Sequence, residues 1–517
     1  MNGMKIGFDN EKYLRIQSEH ILERIAEFDG KLYLELGGKL FDDHHASRVL
    51  PGFKPDSKLR MLAQLRDQLE IVIVISAEDI EKNKVRADLG ITYDEDVLRL
   101  REEFQRRDFL VTSVVITHYD GQRAADHYRH RLERMGIRSY IHYLIDGYPH
   151  NVEMIASDQG FGRNDYVETS RPLVIVTAPG PGSGKMAVCL SQLHNEQKRG
   201  IRAGYAKFET FPVWSLPLKH PVNIAYEAAT ADLNDVNMID PFHLEAYGKT
   251  AVNYNRDIEI FPVLNTLFES IYGRSPYKSP TDMGVNMVGF CISDDEVCCH
   301  ASRDEIIRRY YAATNKLAEG ADNESEVHKI QMLFSQAKIN TTFRRTTVAA
   351  NDKKQQTGHT AAAIELQDGT IITAKSSPLL GCSAALLLNA MKHLAGIDHD
   401  VKLIPQSMIK PIQKTKIEYL GGHNPRLHTD EVLVALSVLS QMATGEGGPQ
   451  ATTLSQLCAR ALEQLPQLQG CQVHSTVMLS EVDRKIFKKL GCGLTCDPVR
   501  KKNTDHSPET TPIEPQP

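Results

Sequence analysis

The 517-residue sequence has no strong excess of charge, no long apolar run and no dense cysteine framework. Lys and Arg number 60 against 66 Asp and Glu, a formal charge of −6. That mild balance argues against a general polyanion binder, so nucleic acid is not an expected partner, although a local basic pocket is compatible with it. The longest apolar runs, residues 71–75 and 433–439, are far short of the roughly 20 residues that cross a bilayer. No membrane association is expected. Residues 1–12 are polar and charged, without the n-region and h-region of a secretory leader. The nine cysteines are odd in number, and a chain of this size buries a core without disulfide or metal staples. The reading is a reduced, cytoplasmic protein with no metal site. Apolar residues at 41% and charged residues at 24% are the balance of an ordinary globular chain. Collagen, a membrane bundle and wholesale disorder are thereby excluded. No internal repeat is visible.

At roughly 100–200 residues per domain, the length predicts three or four domains. The first half alternates strand and helix. Strands are expected at 32–36, 71–75, 111–117, 139–145, 173–177 and 203–208. Helical stretches are expected at 59–69, 96–107, 121–135 and from 185 to about 198. Such alternation builds a mostly parallel α/β sheet. The pattern changes near residue 265. Residues 272–289 are rich in Gly, Pro, Ser and Asn and read as a long loop. Helical stretches follow at 303–318 and 324–337 with no strand between them. From about 341 strands return, with a hairpin at 361–366 and 370–374 turning on Gln367-Asp368-Gly369. Helices are then expected at 383–394, 429–442 and 454–465, with a flexible connection at 444–449. A late strand at 473–479 and a late helix at 481–490 close the pattern. Residues 500–517 are polar and Pro-rich and read as a disordered tail. The expected organisation is an α/β domain at 1–264, with a subdomain break near 150–170. A helical subdomain at 265–340 and a C-terminal α/β domain at 341–499 complete it.

The informative segment is Leu173-Val174-Ile175-Val176-Thr177-Ala178-Pro179-Gly180-Pro181-Gly182-Ser183-Gly184-Lys185-Met186. A buried strand enters a Gly-rich turn and then a Lys at a helix start, the context a phosphate-binding loop requires. Backbone N–H groups and the helix dipole form an anion cradle there, and Lys185 adds a point charge. Gly180, Gly182, Ser183, Gly184 and Lys185 are the candidate ligand-binding residues. Two positions depart from the Walker pattern. Pro179 stands where its first Gly belongs, and Met186 where its metal-binding hydroxyl belongs. A thioether does not ligate Mg²⁺, which wants oxygen, so binding is favoured over hydrolysis. The plain alternative is a tight strand-to-helix turn with Lys185 solvated. The strand at 203–208 ends in Lys207-Phe208-Glu209, and ligands lie at that end of an open α/β sheet. The arrangement resembles the dethiobiotin-synthetase type of P-loop enzyme, in which a Lys on the next strand faces the phosphates. Lys207 and Glu209 therefore join the candidates, against the alternative of a strand-end ion pair. For a Walker-B acid the nearest fit is Asp240, which a helix start at Asp240-Pro241 explains equally well.

Other clusters are weaker. Arg274, Lys278 and Asp282 in the 272–289 loop suggest a lid or a second anion site, or a surface connection. Asp42-Asp43-His44-His45 and Cys298-Cys299-His300 hold ligand-type residues, but adjacent residues rarely converge on one ion. Cys492 and Cys496 lack a second pair and read as packed thiols. The hairpin 361–374, the loop 375–382 and the helix 383–394 resemble the core of cytidine-deaminase-like folds. That family's zinc signature is missing: His359-Thr360-Ala361 has no Glu, and Gly381-Cys382-Ser383 has no second Cys. Hydrolytic deamination is therefore not expected. His359 and His423 are the acid–base candidates of that region.

Lys5-Ile6-Gly7-Phe8-Asp9-Asn10, Leu36-Gly37-Gly38-Lys39-Leu40 and the segments 177–185 and 275–289 carry a wider resemblance. Apart from the tail, the chain resembles an uncharacterised bacterial family known as a domain of unknown function, with members of about this length. The resemblance implies an α/β domain, a helical insert and a deaminase-like C-terminal part, with Met186 belonging to the pattern. It assigns no catalytic residue. The leading expectation is a cytoplasmic enzyme binding a nucleotide or phosphorylated metabolite at the loop. The alternatives are a non-catalytic ligand sensor or scaffold, and an enzyme whose site lies in the C-terminal domain. A small-molecule phosphate ligand is the expected partner, and a homo-oligomer is compatible with everything above.

Overall fold

The computed structural model describes residues 5–38, 40–41, 43–86, 89–441 and 449–499. The expected tail, and the expected flexible connection apart from Pro449, lie outside them. Two compact units divide the chain, one spanning Ile6–Ser302 and the other beginning at Arg303.

The first unit is built on seven strands: β1 (Leu32–Leu36), β2 (Leu69–Ser76), β3 (Val111–Tyr119), β4 (Arg138–Tyr143), β5 (Leu173–Thr177), β6 (Gly204–Phe208) and β7 (Gly284–Val285). Their order is β7-β6-β1-β5-β2-β3-β4, and every neighbouring pair is parallel. All eight residues of β2 and all five of β5 are buried. A sheet covered on both faces demands such continuous β-branched runs. Alternate residues sort to opposite faces. Tyr33, Val72, Val74, Val174, Val176 and Tyr205 pack with Leu190 and Leu193 of the helix Lys185–Lys198 and with Leu264 and Phe268 of the helix Asn255–Tyr272.

The chain order positions the site. From β1 the chain passes over one place to β2, β3 and β4, and β5 then returns to fill the gap. It next crosses to β6 on the far side of β1. The connections after β1 and β5 thus leave in opposite directions. Such a reversal opens a crevice at the C-terminal ends of the strands.

The 272–289 segment is not a free loop. Tyr277 is buried, and its hydroxyl accepts from Tyr205 N–H at 2.8 Å and donates to Tyr205 C=O at 2.5 Å, covering backbone at the edge of β6. A short helix, Pro280–Met283, and β7 then complete the sheet edge. The long-loop expectation is corrected accordingly. Asp240 caps the helix Pro241–Tyr247, accepting from Phe242 and His243 N–H at 3.0 Å each, and also accepts from the Thr281 hydroxyl at 2.6 Å.

The second unit carries a mixed sheet of β8 (Ala361–Glu365), β9 (Ile371–Lys375), β10 (Gln472–Ser475) and β11 (Gly493–Cys496), in the order β9-β8-β10-β11. The first two pairs are antiparallel and the last is parallel. Leu386, Leu387, Ala390 and Met391 of the helix Cys382–Leu394 pack with Ile364, Val473, Leu436 and Phe487. The strands expected from residue 341 are preceded by a helix, Arg345–Thr357. Among the described residues, no helix is long and apolar enough to cross a membrane.

Candidate functional site

A cavity of about 880 Å³ opens where β1, β5 and β6 end. Four of the candidate residues, Gly180, Gly182, Lys185 and Lys207, line it. Ser183, Gly184 and Glu209 stand behind the wall. The Ser183 hydroxyl donates inward to Gly180 C=O at 3.2 Å, and Thr117 of β3 donates its hydroxyl to Ser183 C=O at 2.6 Å. The loop is thereby pinned to the sheet. Gly182 and Gly184 take left-handed φ of 74° and 83°, a conformation that L side chains resist. Immediately beyond, the first-turn N–H groups of the helix Lys185–Lys198 have no intrahelical acceptor. Lys185 and Met186 of that first turn line the cavity.

Register explains which side chains join them. Glu35 of β1 lies opposite Val176 of β5 and Lys207 of β6, and all three point to the face covered by the two helices. Glu35 Oε2 accepts from the Tyr205 hydroxyl at 2.8 Å, and Oε1 lies 4.0 Å from Lys185 Nζ. Lys207 Nζ donates to Tyr254 Oη at 2.7 Å and meets Glu209 Oε1 at 3.0 Å; Asp257 is its third partner. Burial pulls the Lys207 pKa down, but Asp257 first, then Tyr254 and Glu209, raise it well above its ordinary value and hold it cationic. Glu209 is pushed up to about 7, mainly by burial and then by Asp257, against the pull of Lys207. A carboxyl raised toward neutrality beside an ammonium that lines a cavity is the kind of group that moves protons.

The cavity's other end is mixed. Arg86 and Arg99 lie in its wall and bind the two oxygens of the buried Asp96, at 2.8 and 2.6 Å. Arg99 also lies over the Phe41 ring, 5.7 Å from its centroid, and Leu40, Leu89 and Leu100 add apolar surface. Met186 lines the wall directly after Lys185, offering sulfur and no oxygen.

Of these residues, Glu35 was legible and missed, being the single charge in the run Leu32-Tyr33-Leu34-Glu35-Leu36. Asp257 and Tyr254 lie about 50 residues beyond Lys207 and have no local signal; the fold brings them in.

The remaining candidates separate. Asp43 caps the helix His44–Val49 and pairs with Lys58 at 2.9 Å, which holds it low against burial. His45 packs its ring against Phe211 and Tyr226. Asp42 lies outside the described residues. Cys298 is buried, whereas Cys299 lies with His220 and Asp295, their ligand atoms within 4.8 Å of one another. His220 Nδ1 accepts from Val222 N–H at 3.3 Å, so its proton sits on Nε2, facing Asp295 at 3.0 Å. A metal on that nitrogen would force a proton onto Nδ1, against the Val222 N–H. Burial pushes the Cys492 and Cys496 thiols up to about 12. His359 and His423 are exposed.

Comparison with known proteins gives the lineage. The family described as "Domain of unknown function DUF1846, N-terminal" matches residues 6–338, and "Domain of unknown function DUF1846, C-terminal" matches 342–505. UPF0371 protein cu0538 of Corynebacterium urealyticum is 56% identical over 494 residues, covering 95% of this chain and 97% of that protein. A UPF0371 protein of Streptococcus sanguinis is 56% identical over 495 residues, covering 96% and 98%. The chain belongs to this DUF1846 family, an uncharacterised one found in bacteria. The solved structure titled "Structure of the Aeropyrum Pernix ORC2 protein (ADP form)" aligns at 9% identity over 88% of this chain and 92% of that one. Its TM-score of 0.16 is too low to indicate a shared fold.

Proposed function

We propose that the cavity binds the phosphate of a nucleotide or phosphorylated metabolite, and that the protein is a cytoplasmic enzyme acting on that ligand. The observation that carries this reading is the convergence of the Gly180–Gly182 turn, a helix start, Lys185 and Lys207 on one cavity at the sheet's reversal point. The volume of about 880 Å³ falls within the range of small-molecule sites. Met186 favours a second reading, in which the same ligand is sensed without hydrolysis, because the metal-binding hydroxyl is replaced by sulfur. Nine cysteines without a disulfide support a reducing compartment. In the second unit, the hairpin–helix–strand succession and the sheet order support a deaminase-like layer without its zinc signature. The meeting of the two family matches between 338 and 342 supports a sequence boundary near 340, although the compact units part earlier, between Ser302 and Arg303.

A thermal-shift screen of nucleotides and phosphorylated metabolites identifies the ligand, since whatever prefers the native state raises apparent stability. Titration calorimetry then decides the site. Lys185→Ala is expected to weaken binding by about 1.5–3 kcal/mol, the range for a hydrogen bond to a charged group, or roughly ten- to more than a hundred-fold. Met186→Ala is expected to leave affinity nearly unchanged, with or without Mg²⁺. Unaltered affinity in Lys185→Ala would reduce the loop to a structural turn.

A further inference from the structure

We propose that this site takes up a proton together with its anion, and that the Glu209 carboxylate receives it. The inference rests on the phosphate reading above and deepens it: the ligand is an anion bound with a co-bound proton.

The argument starts from the cluster at the cavity edge. Lys207 is the ammonium that both lines the cavity and touches two carboxylates, Asp257 and Glu209. With both carboxylates ionised, this cluster carries one net negative charge at the place an anion must approach. Protonating one of them makes it neutral. In a half-buried environment the charge difference is poorly screened, so an incoming anion favours the protonated form. Of the two, Asp257 is the nearer partner of the ammonium and Glu209, at 3.0 Å, the looser one; Glu209 is also pushed up by burial and by Asp257, which makes it the carboxylate that changes state at little cost.

Several elements surround Glu209. From its own strand's end it faces Lys207; from the helix Asn255–Tyr272 it faces Asp257, and from the residue before that helix Tyr254. From the helix Pro221–Ala229 Tyr226 feels its charge. On the edge strand, Gly284 stands close enough that a Cβ there would lie 3.2 Å from Glu209 Oε2. Arg256 points its charge at Asp235, 2.6 Å away. Glu35, across the cluster, adds further negative charge near Lys207. The two tyrosines are held protonated far above neutrality, mainly by burial, so neither supplies the proton. It comes from solvent and goes to a Glu209 oxygen.

The sign follows. The anion raises the pKa of Glu209 above its free value, so uptake is small well below pH 7 and largest just above it. Affinity falls as pH rises through that window, by up to about tenfold per unit for one linked proton. Sulfate is the probe, because its two charges do not change near neutrality, whereas phosphate titrates there itself. Calorimetric titration of the full chain with sulfate at pH 7.5, in buffers of different ionisation enthalpy, should give heats that vary with buffer and correspond to uptake approaching one proton. Glu209→Gln should bind sulfate without buffer dependence and with affinity flat from pH 7 to 8.5. Glu209→Asp, which keeps a titratable group, should retain uptake if Gln at this position disturbs folding. Buffer-independent heats in the unaltered protein overturn the proposal while leaving the anion site standing. Uptake that persists in Glu209→Gln overturns the assignment to Glu209. If neither sulfate nor phosphate gives a heat that Lys185→Ala reduces, the phosphate reading itself fails and takes this proposal with it.

Discussion

Lys207→Met is expected to destabilise the protein by about 3–5 kcal/mol, the cost of breaking a buried ion pair by removing one partner. The ammonium has Asp257 and Glu209 as its carboxylate partners and donates to Tyr254. A methionine of similar length fills the space but leaves two carboxylates facing each other with no cation between them. The loss should depend on pH in a definite direction. In the unaltered protein Glu209 titrates at about 7, above its ordinary value of 4.5. Its protonated form is therefore favoured by folding, and that contribution is complete below about 4.5 and lost as pH rises through 7. Without the pull of Lys207 Glu209 shifts further up, so the folded variant holds its proton to still higher pH. Its deficit should shrink as pH falls from 8 to 5. Urea unfolding at several pH values reads this out, and Glu209→Gln in the same background should recover part of the loss at pH 8. A variant as stable as the parent at pH 8 would show that the cluster contributes nothing to folding.

What the sequence made legible was whatever the chain encodes locally. β2 and β5 were readable because both faces of a central parallel strand are buried, and an unbroken β-branched run has no other comfortable place. The loop at 178–184 was readable because left-handed turns need glycine. The end of its helix at Lys198 was readable because the apolar spacing stops there. Arg345–Thr357 was misjudged: Thr346, Thr347 and Val348 are β-branched and disfavour helix on their own, yet Thr346, Thr347 and Ala350 bury one face, and packing outweighs propensity. β11 was hidden because Gly493 and the spacing of Cys492 and Cys496 drew attention to thiol chemistry. At the site, Lys207 could be placed because it stands at the C-terminal end of the strand after the loop, where ligands lie in an open α/β sheet. Glu35 stands before the loop in sequence, although β1 is the neighbour of β5, and a search running forward from the loop passes it by. Asp257 and Tyr254 are beyond any local rule, since only the packing of the helix Asn255–Tyr272 against the helix Lys185–Lys198 brings them to Lys207.

Gly180→Val is expected to abolish phosphate binding within the range of a calorimetric titration. The reason is space, not backbone conformation, because Gly180 does not adopt the left-handed φ of Gly182 and Gly184. A Cβ at Gly180 would lie 2.3 Å from the Tyr93 hydroxyl and 2.8 Å from its ring carbon Cζ. Tyr93 is buried and lines the same cavity, so a branched side chain must displace either the ring or the loop. Displacing the ring pushes a phenol into the ligand's volume; displacing the loop moves the N–H donors and Lys185 away from it. Overpacking of this kind costs about 1–3 kcal/mol in stability, which thermal unfolding should register as a modest drop. Gly182→Ala is the contrasting case. Its Cβ would meet no atom within 4 Å, but its φ of 74° is left-handed, so the cost is about 1–2 kcal/mol of conformational strain. That variant should keep the cavity open and bind more weakly, without losing binding altogether. The two substitutions thus separate the glycines' roles, one making room beside Tyr93 and the other shaping the turn. Full binding by Gly180→Val would mean that the ligand does not approach the loop at all.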